Sequence, residues 1–223
     1  VSALVKYYFK NGNEVSGSDL VRSENTEELE KLGIKIKYDS QKIPNPRLHS
    51  AFGEKQGGQA KCQKPDFVVY SPAVEKDNPE LKFYREAGIK CRSYPEALGE
   101  LTKKYFTIAV SGAHGKSTTT SMLALVLIKA GLDPTVIVGT KLKEFNPSTS
   151  LRAGSNFRMG KSPVKNPSDF NGARQYLVIE ACEYEDAFLN YWPKIITLTN
   201  VDKEHLDYFK NFKNILTSFK KYV

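Results

Sequence analysis

The apolar run Phe106-Thr107-Ile108-Ala109-Val110 leads directly into Ser111-Gly112-Ala113-His114-Gly115-Lys116-Ser117-Thr118, and helix-forming residues continue to Ala130 before Gly131 stops them. Strand, glycine turn and helix in that order predict a parallel α/β unit with the turn at the C-terminal end of the strand. Such a turn suits a phosphate group. Glycines permit the tight curve and close backbone approach that several N–H donors on one anion require. The helix that follows aims its unsatisfied N–H groups and positive dipole end at the same point. Lys116 adds a point charge, and the Ser117 hydroxyl is an oxygen ligand of the kind Mg²⁺ takes. The turn is shorter than the full G-x-x-x-x-G-K pattern, since Val110 stands where that pattern begins with glycine. A glycine-rich turn carrying an exposed lysine is the alternative reading.

The rest of the chain has the rhythm of the same fold class. Helical spacing over Val1 to Lys10 ends at Asn11-Gly12, and a strand is expected from Asn13 to Ser18. A charged helix from Asn25 to Leu32 closes at Gly33 and gives way to strand Ile34 to Tyr38. Phe67 to Tyr70 reads as a strand, Pro79 to Ala87 as a helix closed by Gly88, and Ile89 to Cys91 as another strand. Pro95 to Lys104 reads as a connecting helix. Tyr176 to Glu180 and Ile195 to Thr199 are two further buried strands, and Phe209 to Tyr222 is an amphipathic helix. We expect α/β architecture: a Rossmann-like parallel-sheet domain over residues 1–103, then a P-loop NTPase-like domain over 104–223. Residues 44–64, 146–153 and 162–174 are rich in Pro, Gly, Ser and charge and read as long surface loops.

Three more positions carry chemistry. Glu180 ends the strand Leu177-Val178-Ile179, where an NTPase places a second metal contact; a solvated carboxylate at a strand end is the alternative. The acidic residues that follow, Glu183, Glu185 and Asp186, read mostly as solvated. His205 lies in Thr199-Asn200-Val201-Asp202-Lys203-Glu204-His205-Leu206-Asp207, beyond another strand end, and is a metal ligand or else a surface or packing residue. Ser16-Gly17-Ser18-Asp19 ends a strand in the first half, where an acidic residue contacts a nucleotide hydroxyl or caps a helix.

Composition narrows the class. Of 223 residues 40% are hydrophobic, enough for a folded core, and the formal charge of +8 comes from lysines scattered along the chain. A scattered basic surface reads as solvated, or as suited to polyanionic substrates. Cys62, Cys91 and Cys182 form no CxxC pair, which fits neither a disulfide framework nor a zinc site and suits a reducing cytoplasm. No apolar run approaches the ~18 residues that span a bilayer, and nothing reads as a signal peptide, so no membrane association is expected. No clustered aromatic and arginine face favours nucleic acid either.

Taken together these residues resemble the Mur ligases of peptidoglycan synthesis. The likeness is carried by Val-Ser-Ala-Leu at the start, Gly17-Ser18-Asp19-Leu20, Tyr70-Ser71-Pro72-Ala73-Val74 and Asp77-Asn78-Pro79-Glu80-Leu81. It continues through Gly112-Ala113-His114-Gly115-Lys116-Ser117-Thr118-Thr119-Thr120, Glu180-Ala181-Cys182-Glu183-Tyr184, Thr199-Asn200 and His205-Leu206-Asp207. The histidine inside the phosphate turn is similar to the alanine-adding branch of the family and its murein-recycling relative. The resemblance implies that residues 112–118 and Asn200 hold ATP, with Lys116 on its phosphates. It makes Ser117, Glu180 and His205 the ligands of Mg²⁺, and sets Ser18, Asp19, Tyr70, Ser71, Pro72 and Ala73 near a UDP-sugar. It also implies that the first strand and glycine-rich UDP loop precede Val1, that a further domain follows Val223, and that the protein is a bacterial cytoplasmic enzyme. Cys182 departs from the family's usual Asp.

The implied reaction joins the lactyl carboxylate of UDP-N-acetylmuramate to L-alanine through an acyl phosphate. A ligase that attaches a whole tripeptide to the same sugar is the near rival. A nucleotide-gated switch or transport ATPase is the rival from another class, and would lack a UDP-sugar domain.

Overall fold

The structure, a computed structural model, describes residues 1–38, 64–145, 154–160 and 175–223. The long loops expected at 146–153 and 162–174, and 44–63 of the first, lie outside the described residues. The chain divides into two compact units, Val1–Tyr94 and Pro95–Val223.

In the first unit α1 (Ser2–Lys10) buries Ala3, Leu4, Lys6 and Tyr7, the spacing of one helical face. It ends where Gly12 takes φ +79° and donates its N–H to Phe9 O at 3.0 Å. The buried Lys6 ammonium reaches Glu28 Oε1 at 2.6 Å, tying α1 to α2 (Glu24–Lys31). Ser23 caps α2 in a reciprocal box with Thr26, so Asp19 is not the cap of that helix. Two parallel strand pairs follow, β1 (Ser16–Asp19) with β2 (Lys35–Tyr38) and β3 (Phe67–Tyr70) with β4 (Lys90–Ser93). Between β3 and β4 lies α3 (Pro79–Glu86), with proline at its first position and Asn78 Oδ1 accepting from the N–H groups of Glu80 and Leu81.

The second unit is built on a five-stranded sheet in the order β7-β6-β8-β5-β9. β5 (Phe106–Ser111) runs parallel to both neighbours, β8 (Tyr176–Glu180) and β9 (Ile195–Leu198). β6 (Thr135–Leu142) is parallel to β8, and only the edge strand β7 (Ser155–Arg158) is antiparallel. The α5 helix (Lys116–Lys129) covers the sheet with Ala124 against Val136, Val138, Phe145 and Val178. From the other elements, α7 (Phe212–Tyr222) sets Phe219 edge-on and Tyr222 stacked against the buried Phe188, at 5.2 and 4.3 Å between ring centroids.

α4 (Tyr94–Thr102) packs within this second unit, nine residues before the boundary that the sequence suggests. Gly99 lies so close to the backbone of Asn190 that a Cβ would meet its carbonyl oxygen at 2.2 Å. Thr102 Oγ1 accepts the Trp192 N–H at 2.9 Å, and Thr107 Oγ1 donates to Thr102 O.

Three features differ from the sequence reading. β6 was not expected, although Thr135-Val136-Ile137-Val138 is a β-branched run with all four residues buried. Residues 154–160, which the sequence reading above assigns to no element, contain β7, whose burial rests on Ser155 and Phe157. The final helix is broken. α6 (Leu206–Phe209) stops at Lys210, at φ +67°, and Asn211 starts α7 by accepting the Asn214 N–H at 3.0 Å. Among the described residues no helix is long and apolar enough to cross a membrane.

Candidate functional site: a phosphate turn at the ends of β5, β8 and β9

The C-terminal ends of three adjacent parallel strands meet at one edge of the second unit's sheet, the edge where open α/β sheets collect ligands. β5 delivers the turn Gly112 to Gly115, which is stapled to the end of β9. Thr199 Oγ1 donates to His114 O at 2.6 Å, and Ala113 N–H donates to Asn200 O at 3.1 Å. The Asn200 amide grips His114 at both backbone atoms, accepting its N–H at 2.9 Å and donating to its carbonyl at 3.0 Å. Gly112 is required here twice over: it sits at φ +134°, and a Cβ would lie 2.2 Å from Thr199 Oγ1. Gly115, at φ +80°, is the N-cap of α5 without any side-chain cap. The N–H groups of the helix's first turn are therefore left for an external acceptor.

Two side-chain pairs face this turn. The Ser117 hydroxyl lies 3.0 Å from each oxygen of Glu180, and Gly139 N–H donates to Glu180 Oε2 at 2.7 Å. A hydroxyl beside a carboxylate is a pair of hard oxygen donors. Among the described residues no three His, Cys, Asp or Glu side chains gather into a metal site. Such a pair fits Mg²⁺, which keeps waters and substrate phosphates for most of its ligands. The second pair is Lys116 with Glu183. The ammonium donates to Gly112 O at 2.5 Å and Ala113 O at 2.9 Å, and lies 3.0 Å from Glu183 Oε2.

Glu183 is the residue the sequence reading missed. The sequence groups it with Glu185 and Asp186 as a mostly solvated set, but only 1% of it is exposed. The short 3-10 turn Tyr184–Asn190 follows it, with Glu185 and Asp186 at positive φ. Its spacing of three from Glu180 was the available signal. Asp186 is also structural in its contacts, accepting from the hydroxyls of Tyr208 and Ser218, while Glu185 is exposed as expected.

His205 approaches Glu183, not Glu180: Nε2 lies 3.5 Å from Glu183 Oε1, and the Tyr184 ring sits 4.7 Å away. The backbone at His205 is left-handed, φ +53°. Tyr184 donates to Asp207 Oδ2, and that bond, with the Asp207 charge, raises its phenol above the ordinary value. The exposed His114 ring lies between Asp202 and Glu204, at 3.8 and 3.6 Å. Burial raises the Cys182 thiol above its ordinary value.

In the first unit, Ser18 and Asp19 end β1, and the Ser18 hydroxyl donates to Glu80 Oε2 at 2.6 Å. Tyr70 ends β3 with the Arg85 guanidinium over its ring at 5.7 Å. Ser71, Pro72 and Ala73 form the turn that follows, with Ser71 Oγ accepting the Ala73 N–H and Ser71 O that of Val74. Since α3 begins at Pro79, the Ser18–Glu80 bond brings the end of β1 beside the start of that helix.

Comparison with known proteins agrees over the whole length. The profile described as Mur ligase family, catalytic domain matches residues 1–106, and that described as Mur ligase middle domain matches residues 110–223. UDP-N-acetylmuramate–L-alanine ligase of Caldanaerobacter subterraneus is 39% identical over all of this chain, and that of Aquifex aeolicus 37%. In each case the chain spans 41% of the relative's length. Among solved structures, UDP-N-acetylmuramate–alanine ligase of Thermotoga maritima superposes with a TM-score of 0.73 at 28% identity, covering 99% of this chain and 44% of that one. The UDP-N-acetylmuramate:L-alanyl-γ-D-glutamyl-meso-diaminopimelate ligase from Neisseria gives 0.75 at 26%, covering 100% and 63%. With both of its units matched, the chain belongs to the Mur ligase family.

Proposed function

We propose that this chain is the UDP-sugar-binding and ATP-binding part of a UDP-N-acetylmuramate–L-alanine ligase. The observation that carries the reading is the pairing of Ser117 with Glu180 beside the Lys116 turn, in a chain 39% identical to such a ligase over its whole length.

In this reading the lactyl carboxylate attacks the γ-phosphorus of ATP, the bond to the bridging oxygen breaks, and ADP leaves. The alanine amine then attacks the acyl carbon, loses a proton, and expels phosphate with one of the original carboxylate oxygens. Both steps need positioning and charge neutralisation more than covalent help from the protein. Lys116 leaves the two turn carbonyls and directs its ammonium at the β- and γ-phosphates, and the N–H groups that open α5 hold the oxygens between them. Asn200 keeps the turn in shape. Ser117 and Glu180 would hold Mg²⁺, with His205 the further ligand that the resemblance implies, and the bound ion would offset the charge of the phosphates. Ser18, Asp19 and the Tyr70 to Ala73 turn receive the UDP-sugar at the strand ends of the first unit.

The tripeptide-attaching ligase is the second reading, favoured by the likeness to the Neisseria structure. Phosphate release by the full-length protein, given ATP, Mg²⁺ and UDP-N-acetylmuramate, separates the two. Release that requires L-alanine and disappears in Lys116→Ala supports the alanine ligase. Release with tripeptide alone moves the assignment to the second, and ATP hydrolysis indifferent to the sugar nucleotide removes both.

A further inference from the structure

The mechanism above leaves unused a carboxylate buried within reach of two of its groups. Glu183 is 1% exposed, holds the Lys116 ammonium at 3.0 and 3.2 Å, and has His205 Nε2 at 3.5 Å. A carboxylate is not left in such a place without compensation, because desolvating it alone is costly. Here the compensation is a cation and an imidazole that each belong to the phosphate edge. The backbone secures the arrangement. Ala181 N–H donates to Val110 O at 2.8 Å, and Asp186 N–H donates to Glu183 O at 3.0 Å, so the carboxylate is fixed from both sides of the chain.

We propose that Glu183 is the positioning residue of this site, presetting Lys116 for the nucleotide phosphates and turning the His205 ring outward from its Nε2 edge. A lysine side chain loses much rotamer freedom when it is fixed on a ligand. Glu183 takes most of that loss at folding, before the nucleotide arrives. The ammonium has three donors, directed at Gly112 O, Ala113 O and Glu183. Releasing the two neutral carbonyls frees two donors for phosphate while the charge-assisted bond keeps the nitrogen in place. On the other side, Glu183 Oε1 stands 3.5 Å from His205 Nε2, on the side from which a carboxylate orients a metal-binding histidine. The same side chain so serves both groups. This inference rests on the reading that residues 112–118 bind ATP.

The test is a double-mutant cycle read by equilibrium ATP binding to the full-length protein, with and without Mg²⁺, alongside thermal unfolding. Glu183→Met keeps the bulk and removes the acceptor, and ATP binding weakens about tenfold, the worth of fixing one lysine side chain. Glu183→Gln keeps a neutral acceptor, and the loss is about threefold. In the Lys116→Ala background neither substitution weakens metal-free ATP binding further. A loss that persists there identifies Glu183 as merely structural and overturns the proposal. So does tighter ATP binding in either variant, which would make Glu183 a competitor for the ammonium. If Glu183→Met does not fold, the Gln cycle decides, and a Gln protein that binds like wild type overturns it. Failure of the underlying reading looks different: Lys116→Ala alone would then bind ATP as wild type does.

Discussion

At the scale of single residues, the site depends on positions where one added atom has nowhere to go. A methyl group on Gly112 would strike Thr199 Oγ1 and the backbone of Asn200, at a φ that side chains rarely adopt. Gly112→Ala is expected to weaken ATP binding at least about tenfold, measured by equilibrium titration, while the first unit's own stability is unchanged. Cys182 offers a reactivity check. Burial raises its thiol pKa, so the reactive thiolate is scarcer at neutral pH than in an ordinary cysteine and grows as pH rises. Peptide-resolved alkylation should find Cys182 slow at pH 7 and accelerating through the alkaline range beyond the point where a model thiol has levelled off. A plateau at neutral pH would contradict the burial account. Lys116, Ser117 and Glu180 were legible as candidates because strand, turn and helix signals frame them. Glu183 was not, because Glu183-Tyr184-Glu185-Asp186 looks like a solvated acidic run. Its first member is buried against Lys116 and His205, and the turn that follows has two residues at positive φ, none of which sequence periodicity encodes.

At the scale of elements, the phosphate turn is held from outside its own strand and helix. Thr199 and Asn200, at the end of β9, supply the bonds that fix residues 112–114. From the residues alone their part was legible only as proximity to a strand end, and Asn200 entered as an ATP contact through the resemblance. The pairing of β9 with β5, which puts them there, is a long-range fact. α4 illustrates a similar limit. Its helical signal is plain, yet the glycine in its middle costs helix propensity and makes sense only once Asn190 is seen against it. Gly99→Ala should force α4 away from that backbone and destabilise the second unit by about 1–3 kcal/mol. Chemical denaturation would show this as a lowered midpoint with the slope preserved, and an unchanged midpoint would mean that α4 does not pack as described. β6 and β7 escaped the sequence reading for different reasons. β6 carries an interpretable β-branched run that Gly139 interrupts, and β7 has only Phe157 as an apolar buried residue in four.

At the scale of the whole molecule, the candidate residues fall in two units. Ser18, Asp19 and the Tyr70 to Ala73 turn lie at strand ends of the first, and the glycine turn with Glu180 and Glu183 lies in the second. The α/β class and the order of the two domains followed from the sequence, because parallel sheets with crossover helices leave a strong local rhythm. The chain spans about two fifths of the length of the curated relatives it matches, and the proposed amide bond is a property of the full-length protein. The central claim is that ATP is spent on a carboxylate here. It is tested most directly by giving the full-length protein UDP-N-acetylmuramate labelled with ¹⁸O in its lactyl carboxylate, together with ATP, Mg²⁺ and L-alanine, and weighing the phosphate released. The account predicts one ¹⁸O per phosphate, with no labelled phosphate from Lys116→Ala. Phosphate released without label would contradict it, because its fourth oxygen would then have come from water.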